Sequence, residues 1–281
     1  MSGRFRVRSG PHQHARTTLA AILIVVFCLP VLVMVLGSLR TPGLPPASGL
    51  ELWPRPARWS NYSDVMQAIP ILRQFLNSLL VVALAVPLTV LIASWAGFIA
   101  VTGERWLRRL VILASLVAFS VPAAALWVPR AVLYEQVGLS DRLLTVIAPA
   151  LMATSPIFVL LFALTYRRVP RSQYDSAAIE GLSAFRTWWV VAWPNGRPAV
   201  FAVSVLAFVF HWSNLIDPLL FLPREETWTL PLGLRTLASL DPTFYPLMLA
   251  AAVLITLPAV TALLLIQRAL FIQTLGSQNA S

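Results

Sequence analysis

Six long apolar runs pattern the chain, at about 17–39, 77–100, 110–126, 144–166, 199–219 and 247–266. A helix of about 20 apolar residues crosses the roughly 30 Å hydrocarbon core of a bilayer. The pattern therefore predicts an all-α, polytopic membrane protein with six transmembrane helices. Residues 1–16 form a basic arm that carries Arg4, Arg6, Arg8 and Arg16 and no acid. Such an arm also opens signal peptides, but the run at 17–39 is longer than a signal core and no small-x-small cleavage pattern directly follows it. It is expected to stay as the first span, with Pro30 a tolerable kink. Residues 40–74 are expected to form an extracytoplasmic loop, rich in Pro, Gly, Trp and Ser. Near the end of the second run, Ser94, Ala96 and Gly97 suit close helix packing. The stretch after the third run, broken by Pro129 and Gly138, holds Arg130, Glu135, Asp141 and Arg142 and is too polar and interrupted to span. Residues 267–281 form a short polar tail.

One polar segment, 167–198, stands apart from this alternation. Pro170 ends the helix before it, because proline cannot continue one. Ser172 is placed to cap a new helix, with Asp175 three residues on as its capping-box partner. Gly181 is a natural stop. Ser183 can cap a second short helix, which Pro194 limits. The prediction is a helical hairpin outside the hydrocarbon, with Trp188, Trp189 and Trp193 anchoring it at the inner interface.

Composition agrees with the pattern. Hydrophobic residues make up 58% of the chain and charged residues only 11%, against about 25% charged in soluble domains. All 21 basic residues are arginine, and the net charge is +10. Thirteen arginines, with the acids Glu104, Asp175 and Glu180, fall in segments on the side of the basic arm; eight, with seven acids, fall on the other. Basic residues in short loops stay in the cytoplasm, so both termini are expected there. Topology accounts for the charge and leaves no role for nucleic acid. The lone Cys28 allows no disulfide framework or cysteine metal site from this chain.

The segment from Tyr174 through Asp175, Ser176, Ala177, Ala178, Ile179, Glu180, Gly181 and Leu182 to Ser183 resembles the cytoplasmic signature loop of ABC-importer permeases. That loop reads Glu-Ala-Ala, three residues, Gly, and a Pro thirteen positions later. Asp175 stands for the Glu and Ser176 for the first Ala, while Ala177, Gly181 and Pro194 match directly. The longer pattern of the sugar permeases, Tyr-Glu-Ala-Ala-x-Ile-Asp-Gly-Ala-Ser, is met with Glu180 for the Asp and Leu182 for the last Ala. Asn61-Tyr62, Asn77-Ser78 and the segment Thr229 to Leu234 resemble further recurring stretches of the same family. The resemblance covers 77–266 and is closest to the sugar-uptake branch, as the second permease of maltose-type systems.

The resemblance implies the type I ABC-importer permease fold, with a core at 75–266 and a coupling loop at 167–198. In it Tyr174, Asp175, Ser176, Ala177, Ala178, Glu180, Gly181 and Pro194 belong to the element that docks into a cytoplasmic ATPase. It further implies a second homologous permease, two ATPase subunits that bind the ATP and Mg, an extracytoplasmic solute-binding protein, and a multi-pass location among the lipids of the bacterial cytoplasmic (inner) membrane. Asp175 has two readings, a contact to an arginine of the ATPase or a helix cap alone.

No catalytic constellation stands out, and the chain is expected to be a transport subunit without a cofactor of its own. His12, His14 and His211 lack metal-ligand spacing, and no Gly-Lys-Ser/Thr phosphate loop occurs. The strongest polar cluster inside a span is His211, Trp212, Ser213 and Asn214, with Asp217 following, in the outer half of the fifth run. Asn214 and Asp217 are expected to share a helix face, as are His211 and Asn214. The family shows Trp-Asn here, one residue shorter than this Trp-Ser-Asn. The cluster reads either as a pathway stripe that contacts passing hydroxyls or as an interhelical hydrogen bond with an interfacial Asp217. Other functions weighed are an ABC importer for glycerol phosphate, polyamine or peptide, a membrane enzyme, and an ion-coupled secondary carrier. The carrier calls for inverted repeats and several intramembrane acids, and neither is seen.

Overall fold

A computed structural model describes residues 11–44, 53–239 and 242–278, and its elements there are helical. Arg4, Arg6 and Arg8 of the basic arm and the last residues of the tail, 279–281, lie outside the described residues. Helix α1 (Pro11–Ser38) contains the first predicted span. Helix α2 (Asn61–Ala68) lies in the predicted loop, and α3 (Ile71–Thr102) contains the second span and extends it at its start. Next, α4 (Arg105–Ser120) stops at Val121-Pro122, where proline cannot continue it. After one 3-10 turn, α5 (Trp127–Gln136) leaves at a 99° bend. The fourth run is α6 (Leu144–Ile147), a 3-10 turn and α7 (Pro156–Tyr166). The hairpin region holds α8 (Arg171–Ile179), α9 (Ala184–Thr187), a π turn at Trp188–Ala192 and α10 (Trp193–Asn195). The rest is α11 (Arg197–Trp212), α12 (Ile216–Phe221), α13 (Leu230–Ala238) and α14 (Tyr245–Gln278).

By length and apolar composition the described helices bear out part of the six predicted spans. Three segments, 18–38, 71–102 and 144–166, are long and apolar enough to cross a bilayer, and α4 with α5 makes a fourth if the bent pair is one span. Helix α11 and the stretch Tyr245–Thr261 are apolar but shorter. The fifth predicted span is cut because α11 ends at Trp212 and a new helix begins at Ile216.

The chain falls into two compact units, one within Met1–Ile69 and Leu234–Leu257, the other within Pro70–Gly233 and Pro258–Ser281. In the first, fully buried Asn61 clasps the end of α1, its Nδ2 donating to the Ser38 and Arg40 carbonyls at 2.7 Å each. The neighbouring Tyr62 hydroxyl lies 2.8 Å from Ser38 Oγ. The Asn-Tyr pair thus staples α2 to the end of α1.

In the second unit α3 is the central post, packed by α7 and α11 around Val90, Phe98, Phe162, Tyr166 and Val203. Gly97 lets α3 and α7 touch, since a Cβ there would meet Phe162 Cβ at 2.5 Å and the Val159 carbonyl at 3.0 Å. The first turns of α3 are pinned by the Asn77-Ser78 pair. Asn77 Nδ2 donates to the Glu226 and Trp228 carbonyls, both at 2.9 Å, and Ser78 Oγ accepts from Leu230 N–H at 2.9 Å. Two segments singled out separately in the sequence therefore meet.

Candidate functional site

The hairpin forms, with two local differences from expectation. Helix α8 starts at Arg171 behind Pro170, and no side chain caps it. Ser172 is therefore not the cap, and the capping box with Asp175 does not form. Its end behaves as predicted: Gly181 has φ +69°, and its N–H and that of Leu182 return to the carbonyls of Ala178 and Ala177, both at 3.0 Å. A left-handed residue that turns the last carbonyls inward is the usual glycine stop. Ser183 caps α9, accepting from Arg186 N–H at 3.4 Å. Pro194 does not end the second helix. The π turn ahead of it, with Trp193 N–H bonded to the Trp188 carbonyl, carries the helix through Pro194 to Asn195.

The turn of the hairpin is open to solvent. Ile179 ahead of it is 87% exposed and Phe185 after it is exposed, as are Trp189 and Val190 next to Trp188. Asp175, Ser176, Ala178, Glu180, Gly181 and Pro194 are also open to solvent to differing degrees, while Ala177 is buried and Tyr174 half-buried. A Cβ on Gly181 would meet nothing within 4 Å. The Tyr174 hydroxyl donates to the Tyr166 carbonyl at 3.3 Å, and burial pushes its phenol up to about 12, so it remains a donor.

The root of the hairpin is buried and tied to α3 and α7. Trp188 is not the interfacial anchor expected of it: it is 4% exposed, and its Nε1 donates to Ser94 Oγ on α3 at 2.9 Å. Ser94 Oγ also lies 2.6 Å from the Tyr166 hydroxyl on α7. Gly196 makes room for this node, since a Cβ there would stand 2.7 Å from the Tyr166 ring. Polar residues within apolar spans are the signal that marks such positions; small size, the property noted for Ser94 in the sequence, does not reveal its hydroxyl's role.

The polar cluster after α11 is arranged differently from a helical stripe. Because α11 ends at Trp212, Asn214 sits in a break just ahead of α12 and binds its first turn: its Oδ1 accepts from Asp217 N–H at 3.2 Å, and its Nδ2 donates to Asp217 Oδ2 at 3.0 Å. Buried Asp217 then pairs with Arg130 of α5 at 3.0 Å. The Arg130 guanidinium also donates to the Tyr134 hydroxyl and lies 4.9 Å from the Phe221 ring centre. Trp212 is buried and stacks on Phe208 with ring centres 5.5 Å apart.

His211 faces other partners. Its Nε2 lies 3.0 Å from Thr154 Oγ1, which in turn contacts Thr89 Oγ1 on α3. Its Nδ1 is buried without a hydrogen-bond partner. Thr154 and Ala153, both non-glycine, hold φ near +60° between the 3-10 turn and α7. Each such residue costs roughly 1–2 kcal/mol, and strain of this kind is kept where surrounding structure holds it. Asn214 and Asp217 thus form one node with Arg130, and His211 another with Thr154 and Thr89.

Comparison with known proteins gives one answer. A family model described as "Binding-protein-dependent transport system inner membrane component" matches residues 89–271. The arabinooligosaccharides transport system permease protein AraQ of Bacillus subtilis is 26% identical over 260 residues, covering 92% of each chain. The lactose transport system permease protein LacG of Rhizobium radiobacter is 27% identical over 221 residues, 79% of this chain and 80% of that one. A crystal structure of a bacterial ABC transporter involved in import of the acidic polysaccharide alginate superposes with TM-score 0.74 at 16% identity, over 95% of this chain and 99% of the other. That likeness is one of fold.

Proposed function

The chain belongs to the inner membrane components of binding-protein-dependent transport systems, and from that premise we propose that it is the permease subunit of an ATP-driven importer for sugars or oligosaccharides. It is a transport component, and ATP is hydrolysed elsewhere. Its importer-permease relatives carry the arabinooligosaccharide and lactose names, and these support the sugar class.

The observation that carries the mechanism is the form of the hairpin: an isoleucine, Ile179, 87% exposed at its turn, on a root tied to α3 and α7 through Trp188, Ser94 and Tyr166. An exposed apolar knob on a stiff base suits docking into a groove of another protein. In this reading Ile179, Asp175 and Gly181 meet the ATPase, and its closure moves α3 and α7 as one body. ATP binding must then favour the outward-open state over the inward-open one by differential affinity. The full assembly has two such permeases, two ATPase subunits below and a solute-binding protein above. Six crossings complete the topology when the bent α4–α5 pair, α11 and α14 are each counted, with both termini cytoplasmic.

His211 is the residue proposed for the pathway. Its ring is held through Nε2 by Thr154, and its buried, unpartnered Nδ1 can meet a hydroxyl-rich solute once the pathway opens to it. Trp212, Asn214 and Asp217 are assigned to packing, since Trp212 stacks within the fold and the polar groups of Asn214 and Asp217 partner one another and Arg130. Reconstitution with the partner permease, ATPase and binding protein, followed by ATP-dependent uptake of labelled oligosaccharides, tests the reading. Uptake that persists without ATP would overturn it.

A further inference from the structure

A cleft of about 1160 Å³ opens where the inner ends of α3 and α7 meet the starts of α4 and α8. Arg105, Arg108, Arg109, Arg167 and Arg171 line it, opposed by only Glu104 and Asp175. None of the five arginines is in an ion pair among the described residues. A cytoplasmic excess of arginine orients a membrane protein wherever in the loop it falls. Orientation does not require that the arginines gather in one concavity.

The helix starts make the gathering more specific. Anions, not cations, are stabilised at a helix N-terminus, where unpaired N–H groups carry partial positive charge. Here α4 begins Arg105-Trp106-Leu107-Arg108-Arg109 and α8 begins at Arg171, neither with an acid in its first turn. Neither helix has a side-chain cap. Glu104, in the cap position of α4, instead accepts from Trp106 Nε1 at 2.7 Å. Two positive helix ends and five arginines thus converge against only two acids, Glu104 and Asp175. Such an arrangement costs stability unless an anion completes it.

The volume exceeds the roughly 300–1,000 Å³ of small-ligand pockets, which points away from a single inorganic ion. Further along α4, the face next to the one that lines the cleft carries Leu110, Leu113, Leu116 and Val117, all exposed. Polar concavity and apolar ridge are therefore joined along one helix. We propose that this cleft binds an acidic phospholipid of the cytoplasmic leaflet, its phosphate among the arginines at the α4 and α8 N-termini and its acyl chains along exposed α4. Basic pockets between helix ends on the cytoplasmic side take such head groups. The site needs only that these helices lie in a membrane, so it goes beyond the coupling role. Because Asp175 and Ala178 of the hairpin form one wall, a bound lipid would brace the hairpin from behind.

The test is native mass spectrometry of the full chain, with any subunits that co-purify, after delipidation and exchange into nanodiscs of phosphatidylglycerol or phosphatidylcholine. Phosphatidylglycerol should remain bound and phosphatidylcholine should not; equal retention overturns the proposal even if no variant folds. Joint Arg105→Gln, Arg108→Gln and Arg109→Gln should weaken phosphatidylglycerol retention on the order of 100-fold. Joint Arg168→Gln, Arg186→Gln and Arg197→Gln, with the same charge loss outside the cleft, should leave retention unchanged; an equal loss there means a diffuse field and no site. Displacement of the lipid by millimolar inorganic phosphate would assign a free-anion site instead. Full lipid retention in the first triple variant with loss of co-purifying ATPase would assign the cleft to protein docking. ATPase co-purification is read separately, so failure of the permease reading leaves the lipid result intact.

Discussion

Trp188 Nε1 donates to Ser94 Oγ across 2.9 Å, and this bond joins the hairpin to α3, the central helix of its unit. Ser94 is fully buried and is shared with the Tyr166 hydroxyl at 2.6 Å. Three elements distant in sequence thus meet at one oxygen. Ser94→Ala leaves a buried indole N–H and a buried phenol without their partner, at about 1–3 kcal/mol each. We predict that Ser94→Ala lowers the unfolding midpoint of the purified protein and weakens solute-stimulated ATPase activity in the assembled complex. Trp188→Phe should be milder in stability, because it removes the donor along with the bond. Unchanged coupling in both would mean that the hairpin moves independently of α3.

The second prediction concerns Arg130 and Asp217. Their ion pair is largely buried, with side chains 24% and 8% exposed. Removing one partner of a buried pair costs about 3–5 kcal/mol, because the other charge is stranded. Asp217→Ala and Arg130→Ala should therefore each reduce the amount of folded subunit in the membrane. The joint substitution Asp217→Leu with Arg130→Met strands no charge and should recover part of it. Membrane fractionation with fluorescence-detected size exclusion measures this. Normal folding but absent uptake in Asp217→Ala would return Asp217 to the pathway.

These two nodes show what can be read ahead of the structure. The hairpin is legible because its determinants are local: Pro170, Gly181 and Ser183 act on their own backbone, and each behaves as its chemistry dictates. Ser172 misleads because any serine ahead of a helix looks like a cap, whereas the chain direction after Pro170 decides where the helix starts. Asn214 and Asp217 look like neighbours on one helical face because an unbroken apolar run hides a break. The structure keeps them neighbours, but across the break, through hydrogen bonds from Asn214 to Asp217. Arg130 lies 87 residues from Asp217, and no local pattern joins them. The helix count of the membrane domain is less legible for the same reason. Hydropathy sums over a window, while the bend at Val121-Pro122 and the break after Trp212 are backbone events inside apolar sequence.

A third prediction addresses the pathway. His211→Leu removes the bond to Thr154 and the free Nδ1 at similar volume. If His211 meets solute, His211→Leu should cut uptake at least tenfold, the loss expected for about 1.4 kcal/mol of binding, with assembly and basal ATPase activity intact. Thr154→Val should have a smaller effect on uptake. Loss of folded protein in His211→Leu, with uptake per assembled complex unchanged, would reduce the residue to packing.

Topology supplies a fourth prediction. With Cys28 replaced by Ala, single cysteines at Ser183 and Ser277 should react only from the cytoplasmic side, and those at Ser140 and Ser239 only from outside. Accessibility to a membrane-impermeant maleimide in intact cells reports the side. Reaction at Ser183 from outside would place the hairpin where no ATPase can reach it.

The last prediction rests on Gly181. Its φ of +69° costs a residue with a side chain, yet a Cβ there would touch nothing in the chain itself. Internal packing therefore does not demand a glycine; backbone conformation and an external surface do. Asn enters the left-handed region more readily than other side chains, so Gly181→Asn should keep the hairpin shape and isolate the effect of bulk at the docking face. Gly181→Asp adds to that bulk a charge that must lose water on docking. We expect Gly181→Asp to insert and fold normally but to lose co-purifying ATPase and transport, with Gly181→Asn intermediate. Asp175→Ala should be weaker than either, because its capping box does not form and only one partner contact is lost. Asp175→Glu should be near neutral, since it restores the residue of the signature loop. Normal ATPase retention in Gly181→Asp would remove the hairpin tip from the docking surface and leave the exposed Ile179 and Phe185 without the partner assigned to them.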